Sequence, residues 1–155
     1  MRPAEPADHA LGRSRGGFST KIHLVCDAKG RPIGAEISAG QDHETTRFAS
    51  LVDSITIRGA RGRPRKHPDA LAGDKGYSAG WTRAFLREPK IEPIIPTRKN
   101  EIRDPGFDRK RYRERNFVER CIGWLKEARR IATRYEKLAL HYLGMLTLGM
   151  IMRHL

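Results

Sequence analysis

Phe18 to Cys26 is an alternating run, with Phe18, Ile22, Leu24 and Cys26 on one face and polar residues between them. Alternation of period two places successive side chains on opposite faces of an extended strand. A turn follows at Asp27-Ala-Lys-Gly30-Arg-Pro32, and alternation resumes through Ile33, Ala35 and Ile37. The pattern predicts a β-hairpin with one apolar face, which needs a second layer packed on it.

Material for that layer lies downstream. Phe48, Leu51, Val52 and Ile55 recur at helical spacing after Gly40-Gln-Asp42, with Asp42 expected as the N-cap. Asp69 to Asp74 reads as a short buried strand and Lys75-Gly76-Tyr77 as the turn after it. Ser78 is expected to cap a helix carrying Trp81, Phe85 and Leu86 and stopping before Pro89. Ile91 to Pro96 reads as a brief strand with an edge character imposed by its prolines. A long helix is expected from about 110 to 130, and a second from about 138 to 153. The last is apolar almost all round, which predicts burial, or exposed apolar surface and self-association. Residues 1–16 read as an irregular basic arm and 17–155 as the domain. Strands first and helices interleaved later indicate an α/β class with a mixed sheet.

Composition narrows the function. Of 155 residues, 31 are Lys or Arg and 18 are Asp or Glu, a formal net charge of +13. Most of the basic residues are arginine, whose planar fork of donors suits phosphate, so a polyanionic partner is expected. Two basic loops, 58–67 and 98–103, are expected to face it. No apolar run is long enough for a membrane span, and the start has no secretory signal pattern. Cys26 and Cys121 are too few for a disulfide scaffold, and both fall on apolar faces. The expected setting is cytoplasmic.

Two carboxylates stand out. At about 100° per residue, Tyr112, Arg115, Glu119 and Lys126 share one stripe about 60° wide, opposite Phe117, Val118, Cys121, Trp124 and Leu125. On pattern alone the stripe also fits a solvated face on which Arg115 and Glu119 pair. Asp74 stands at the carboxyl end of a strand, where α/β sheets place ligand sites, although Asp-Lys-Gly is also an ordinary turn sequence. Two hard-oxygen groups amid arginines fit a Mg²⁺–phosphate site. His23 fits a plain strand-face residue better than a ligand, and Asp42-His43-Glu44 fits a helix start better than a metal cluster.

The spacing Tyr112-x2-Arg115-x3-Glu119-x6-Lys126 resembles the Tyr-Arg-Glu-Lys signature of bacterial DDE-type insertion-sequence transposases. Gly12-Arg-Ser-Arg-Gly-Gly17, Thr20-Lys21-Ile22-His23, Gly73-Asp74-Lys75-Gly76-Tyr77 and Arg130-Ile-Ala-Thr-Arg134-Tyr135 resemble the insertion-sequence-five-like branch. The resemblance implies a ribonuclease H-like fold. It implies that Asp74 and Glu119 are catalytic metal ligands for Mg²⁺, with Mn²⁺ as substitute. Tyr112, Arg115, Lys126, Lys75, Arg130 and Arg134 would contact transposon-end DNA. The implied chemistry is DNA cleavage and strand transfer in a nucleoid-associated bacterial protein. The family's first Asp lies on a strand upstream of the segment matching Gly12, and neither Asp8 nor Asp27 matches it. The chain is therefore expected to lack its first strand. It would work as a homo-oligomer or with an upstream transposase segment. The alternative is an inactive DNA-binding remnant, or the product of a second reading frame.

Overall fold

The computed structural model describes residues 9–59, 62–102 and 104–155. Asp8, Arg61 and Arg103 lie outside the described residues. The expected hairpin is present as β2 (Gly17–Cys26) and β3 (Pro32–Ala39), antiparallel with Ile22 opposite Ile37 and Leu24 opposite Ala35. The Asp27 carboxylate builds its turn, accepting from the Lys29 and Arg31 backbone amides at 2.8 and 2.9 Å and from Arg31 Nε at 2.7 Å. Gly30 supplies the left-handed residue at φ 74°.

The arm is less irregular than expected. Gly12–Ser14 forms β1, antiparallel to Gly17–Ser19 of β2, because Gly16-Gly17 permits a tight reversal and Gly17 takes φ 104°. Gly40 closes the far end of the hairpin, its amide donating to Ser19 O at 3.0 Å. A Cβ at Gly40 would lie 2.9 Å from that same backbone oxygen. Gly40→Ala is expected to cost about 1–3 kcal/mol by forcing the strands apart, measurable by urea denaturation.

The helix after β3 starts one residue later than the sequence suggested. His43, not Asp42, caps a 3-10 turn over Glu44–Arg47, its Nδ1 accepting from Thr45 N at 3.3 Å, while the Asp42 carbonyl accepts from Lys21 Nζ. α1 (Phe48–Asp53) follows and buries Phe48, Leu51 and Val52. β4 (Ala70–Ala72) and β5 (Glu92–Ile94) pair in parallel around α2 (Gly80–Arg87). Ser78 does not cap α2; its hydroxyl donates to Glu101 at 2.8 Å, because the 3-10 turn Lys75–Tyr77 carries the chain past the capping position.

The long helix predicted over 110–130 is three pieces: α3 (Arg109–Arg113), α4 (Asn116–Leu125) and α5 (Arg129–Ala132). Around 114–118 the amides bond three residues back, a tightened turn. At Ala128 the backbone turns extended, with ψ 110°. α6 (Ala139–Met152) is present as expected but not largely buried. Tyr142 and Leu146 are buried, whereas Leu140, Leu148, Ile151 and Met152 are exposed. Only one side of α6 meets β3, α4 and α5.

The mixed α/β character holds, but among the described residues the strands form two sheets, β1-β2-β3 and β4-β5, rather than one. The core divides likewise. One cluster joins Ile37, Cys121, Leu125, Tyr142 and Leu146; another joins Phe48, Val52, Leu86, Ile91 and Ile95. Cys121 is buried and Cys26 packs against it, consistent with two core thiols.

Candidate active-site cleft

Between the two sheets lies a cleft of about 1270 Å³, bordered by β2, α1, β4 and α4. Asp74 and Glu119 both line it, although they come from different sheets' surroundings and are far apart in sequence. β4 delivers Asp74 at its carboxyl end. The Asp74 Oδ1 accepts from Gly76 N at 2.7 Å and starts the 3-10 turn, which fixes the carboxylate against its own backbone. A Cβ at Gly76 would lie 2.9 Å from that oxygen, so the turn admits only glycine without rearrangement.

Glu119 sits in the first turn of α4, where an acidic residue complements the helix dipole. Its Oε1 pairs with Arg115 at 2.7 Å, and the Arg115 guanidinium lies 5.4 Å from the Tyr112 ring centre. The break in the helix keeps this stretch of the stripe together, since the residues at the break stay near helical backbone angles. Lys126 is different. It is the exposed C-cap of α4, about two turns from Glu119.

The other predicted contacts scatter. Lys75 is exposed on the turn after Asp74. Arg130 pairs with Glu136 at 3.6 Å, away from the cleft. Arg134 has a scaffold role. Its Nε donates to Glu136 O at 2.9 Å, one terminal nitrogen to Ala10 O at 3.1 Å and Thr20 Oγ1 at 2.5 Å, and the other to Lys137 O at 3.1 Å. It also stacks on Tyr142 at 5.4 Å. Four donors are committed, leaving little to offer a phosphate.

Sequence reasoning missed Lys21 and Glu44 as cleft residues. Lys21 Nζ pairs with Glu44 Oε1 at 3.0 Å, and both line the cleft. Burial would raise the Glu44 carboxyl, but hydrogen bonds from its own backbone and from Lys21, with the Lys21 charge, hold it below the usual range. The signal was available: Lys21 on a strand, and an acid just after the next strand. The second basic loop is pinned beside the site, with Arg98 donating to the carbonyls of Lys75 and Gly76 at 3.2 and 3.3 Å.

His23 is buried, 3% exposed, with Nε2 2.9 Å from Ser38 Oγ. Burial lowers its pKa, and the Lys21 and Arg47 charges add to that against Glu36 and Glu44. A lowered folded pKa means the unfolded chain binds the proton first. The neutral His23 therefore contributes stability that is complete above about 6.5 and declines as the pH falls below that value. Denaturation midpoints between pH 7.5 and 5.5 are expected to fall on acidification, and His23→Gln to flatten that slope.

Could the cleft hold a metal? Asp74 and Glu119 each keep one carboxylate oxygen outside the Gly76 and Arg115 bonds, and hard oxygens suit a divalent cation. Among the described residues no group of three or more His, Cys, Asp or Glu is assembled to hold one. Two carboxylates alone would leave most positions around a divalent ion to water or to further ligands. No helix among the described residues is long and apolar enough to cross a membrane.

Asp74 at a strand end and Glu119 on a helix thus border one cleft of an α/β fold, together with Lys21, Arg111 and Arg115. The chain belongs to the transposase DDE domain family, whose model matches residues 3–153. It is 36% identical over 138 residues to a putative transposase for an insertion sequence element of Burkholderia cepacia. That match covers 88% of this chain and 62% of the relative. It is 29% identical over 139 residues to another such putative transposase, from Brucella ovis, covering 87% of this chain and 97% of the relative. No solved structure matches significantly.

Proposed function

We propose that this chain is part of a ribonuclease H-like transposase catalytic domain that cuts and joins insertion-sequence DNA with a divalent metal. The observation that supports the reading is that Asp74 and Glu119 line one cleft with Arg115 and Lys21. Asp74 and Glu119 would hold Mg²⁺, or Mn²⁺ in its place. A bound divalent ion would neutralise phosphate charge and raise the nucleophilicity of an attacking hydroxyl. The protein's own groups do the positioning. The Gly76 amide orients Asp74, and Arg115 orients Glu119. Lys21 and Arg111 line the same cleft, paired with Glu44 and Glu92, and would bind phosphate oxygens with the donors those pairs leave or in exchange for them. Lys75 and Tyr112, chain neighbours of Asp74 and of the Arg115–Glu119 pair, would also meet DNA, with Lys126 and Arg130 as contacts outside the cleft and Arg134 holding the scaffold.

A second reading is a DNA-binding module that needs more transposase polypeptide to cut. The absence of a three-ligand group among the described residues favours it, as does the match to 62% of the longer relative. Strand cleavage of a duplex bearing an insertion-sequence end, with Mg²⁺ or Mn²⁺ against a chelator, tests the proposal. Metal-dependent cleavage supports the catalytic reading. Retained duplex binding without cleavage selects the second. Neither binding nor cleavage overturns both.

A further inference from the structure

The cleft is neutral although the chain is not. Among the described residues six Lys or Arg side chains line it, and six Asp or Glu line it with them. The whole chain carries a net charge of +13. Five of the six bases are ion-paired with a carboxylate. A phosphate that enters the cleft therefore meets cations that already hold an anion.

The five acids are not equally committed. Asp27 also accepts two backbone amides and builds the β2–β3 turn. Glu119 is the proposed metal ligand, and its partner Arg115 is also held over the Tyr112 ring. Asp69 is almost fully exposed, so its pair with Arg65 is weak and solvated. Glu44 and Glu92 differ from these. Both are about half-exposed, and each meets a cation of the cleft wall, Lys21 at 3.0 Å and Arg111 at 2.6 Å.

Both cations keep their place without the acid. Lys21 Nζ also donates to the Asp42 carbonyl, in the turn that closes the hairpin, where the Asp42 amide bonds Ala39 O at 3.0 Å. Arg111 lies in α3, whose N-cap Asp108 accepts from the Arg111 amide at 3.0 Å. Solvent-exposed pairs are weak, so a phosphate displaces the carboxylate at little cost. A carboxylate and a phosphodiester both present paired anionic oxygens, so one can replace the other on the same donors.

Resting on the reading that this cleft handles DNA, we propose that Glu44 and Glu92 stand in for DNA phosphates in the free chain. Lys21 and Arg111 then mark two phosphate positions that DNA fills by displacing those acids. One position lies beside the Asp74 turn, since a Cβ at Gly76 would lie 3.2 Å from Glu44 Cγ. The other stands four residues before Arg115. Displacement has a salt signature. A cation that meets phosphate releases a counter-ion condensed on the DNA, while the freed carboxylate collects one from solution, and the two nearly cancel. With glutamine at the acid nothing is freed, and the slope of log affinity against log salt steepens by about 0.9 per pair.

The test is binding of a short mixed-sequence duplex, read by fluorescence anisotropy across a salt series, with a chelator present so that no metal takes part. Glu44→Gln and Glu92→Gln are each expected to tighten binding about fivefold at low salt and to steepen the slope by about 0.9. Lys21→Met and Arg111→Met are expected to weaken binding. Each should also cut the gain from glutamine at its own partner to under about twofold. Glu88→Gln, exposed and outside the cleft, is the charge control, with a change under about 1.5-fold. Wild-type affinity and slope in either Glu44→Gln or Glu92→Gln would overturn the proposal. So would a gain that survives undiminished in Lys21→Met or Arg111→Met, or one matched by Glu88→Gln, since either makes it a general charge effect. Those results leave duplex binding intact and the functional reading standing. No duplex binding by the wild type or any variant at low salt removes both.

Discussion

Glu119→Gln is expected to lower metal-dependent strand cleavage by about 100-fold or more, with duplex affinity changed less than about threefold. The substitution keeps the size of the side chain and removes the charge that a cation needs. Asp74→Asn is expected to act alike, because its Oδ1 can still accept from Gly76 N and keep the turn folded. Arg115→Ala separates positioning from ligation. It releases Glu119 from its 2.7 Å ion pair without removing a ligand. The expected loss is nearer tenfold, and partial recovery in Arg115→Lys would show that charge alone orients Glu119 in part. The Glu119 side chain is half-exposed, so this pair adds little to stability. All three variants should unfold near the wild-type midpoint. Cleavage and binding rates in the same preparations give the comparison.

Arg134→Ala is expected to cost about 2–4 kcal/mol of folding stability. The guanidinium ties Ala10 and Thr20, at the beginning of the fold, to Glu136 and Lys137 before α6. Removing it leaves the Ala10 carbonyl with one donor fewer in a nearly fully buried setting, 2% exposed. Arg134→Lys should recover less than half of the loss, because a point ammonium cannot replace a planar fork reaching four oxygens. A urea midpoint shift of under about 0.5 kcal/mol equivalent would instead return Arg134 to the set of solvent-facing, DNA-binding arginines.

Arg134 also shows where sequence reading stops. Its place in a motif is visible, but whether its donors reach a phosphate or the chain's own carbonyls depends on a contact with Ala10, 124 positions away. The hairpin, α1, α2 and the two short strands were legible because periodicity and turn residues agree locally. β1 was hidden because three residues are too short to show alternation. The breaks in 110–130 were hidden for another reason. No proline marks them, and the residues before α4 keep the helical phase while changing their hydrogen bonds. Periodicity registers phase, not bonding. For α6 the sequence left burial and an exposed apolar side both open, because an all-apolar helix does not show which of its sides finds packing partners.

The candidate site was legible as two residue types in two contexts, a strand end and a helix stripe. What placed Asp74 in the site was the resemblance; what placed it in the same cleft as Glu119 was the fold. Glu44 and Lys21 escaped because each reads locally as something else, a helix start and a strand face. Their pairing across 23 positions is a tertiary fact.

Mn²⁺ binding to the chain, followed by electron paramagnetic resonance, tests the central claim most directly. The account predicts bound Mn²⁺ that excess Mg²⁺ displaces, with affinity at least tenfold weaker in Asp74→Asn and in Glu119→Gln alike. Mn²⁺ affinity identical in the wild type and both variants, or no bound Mn²⁺ at all, would contradict it.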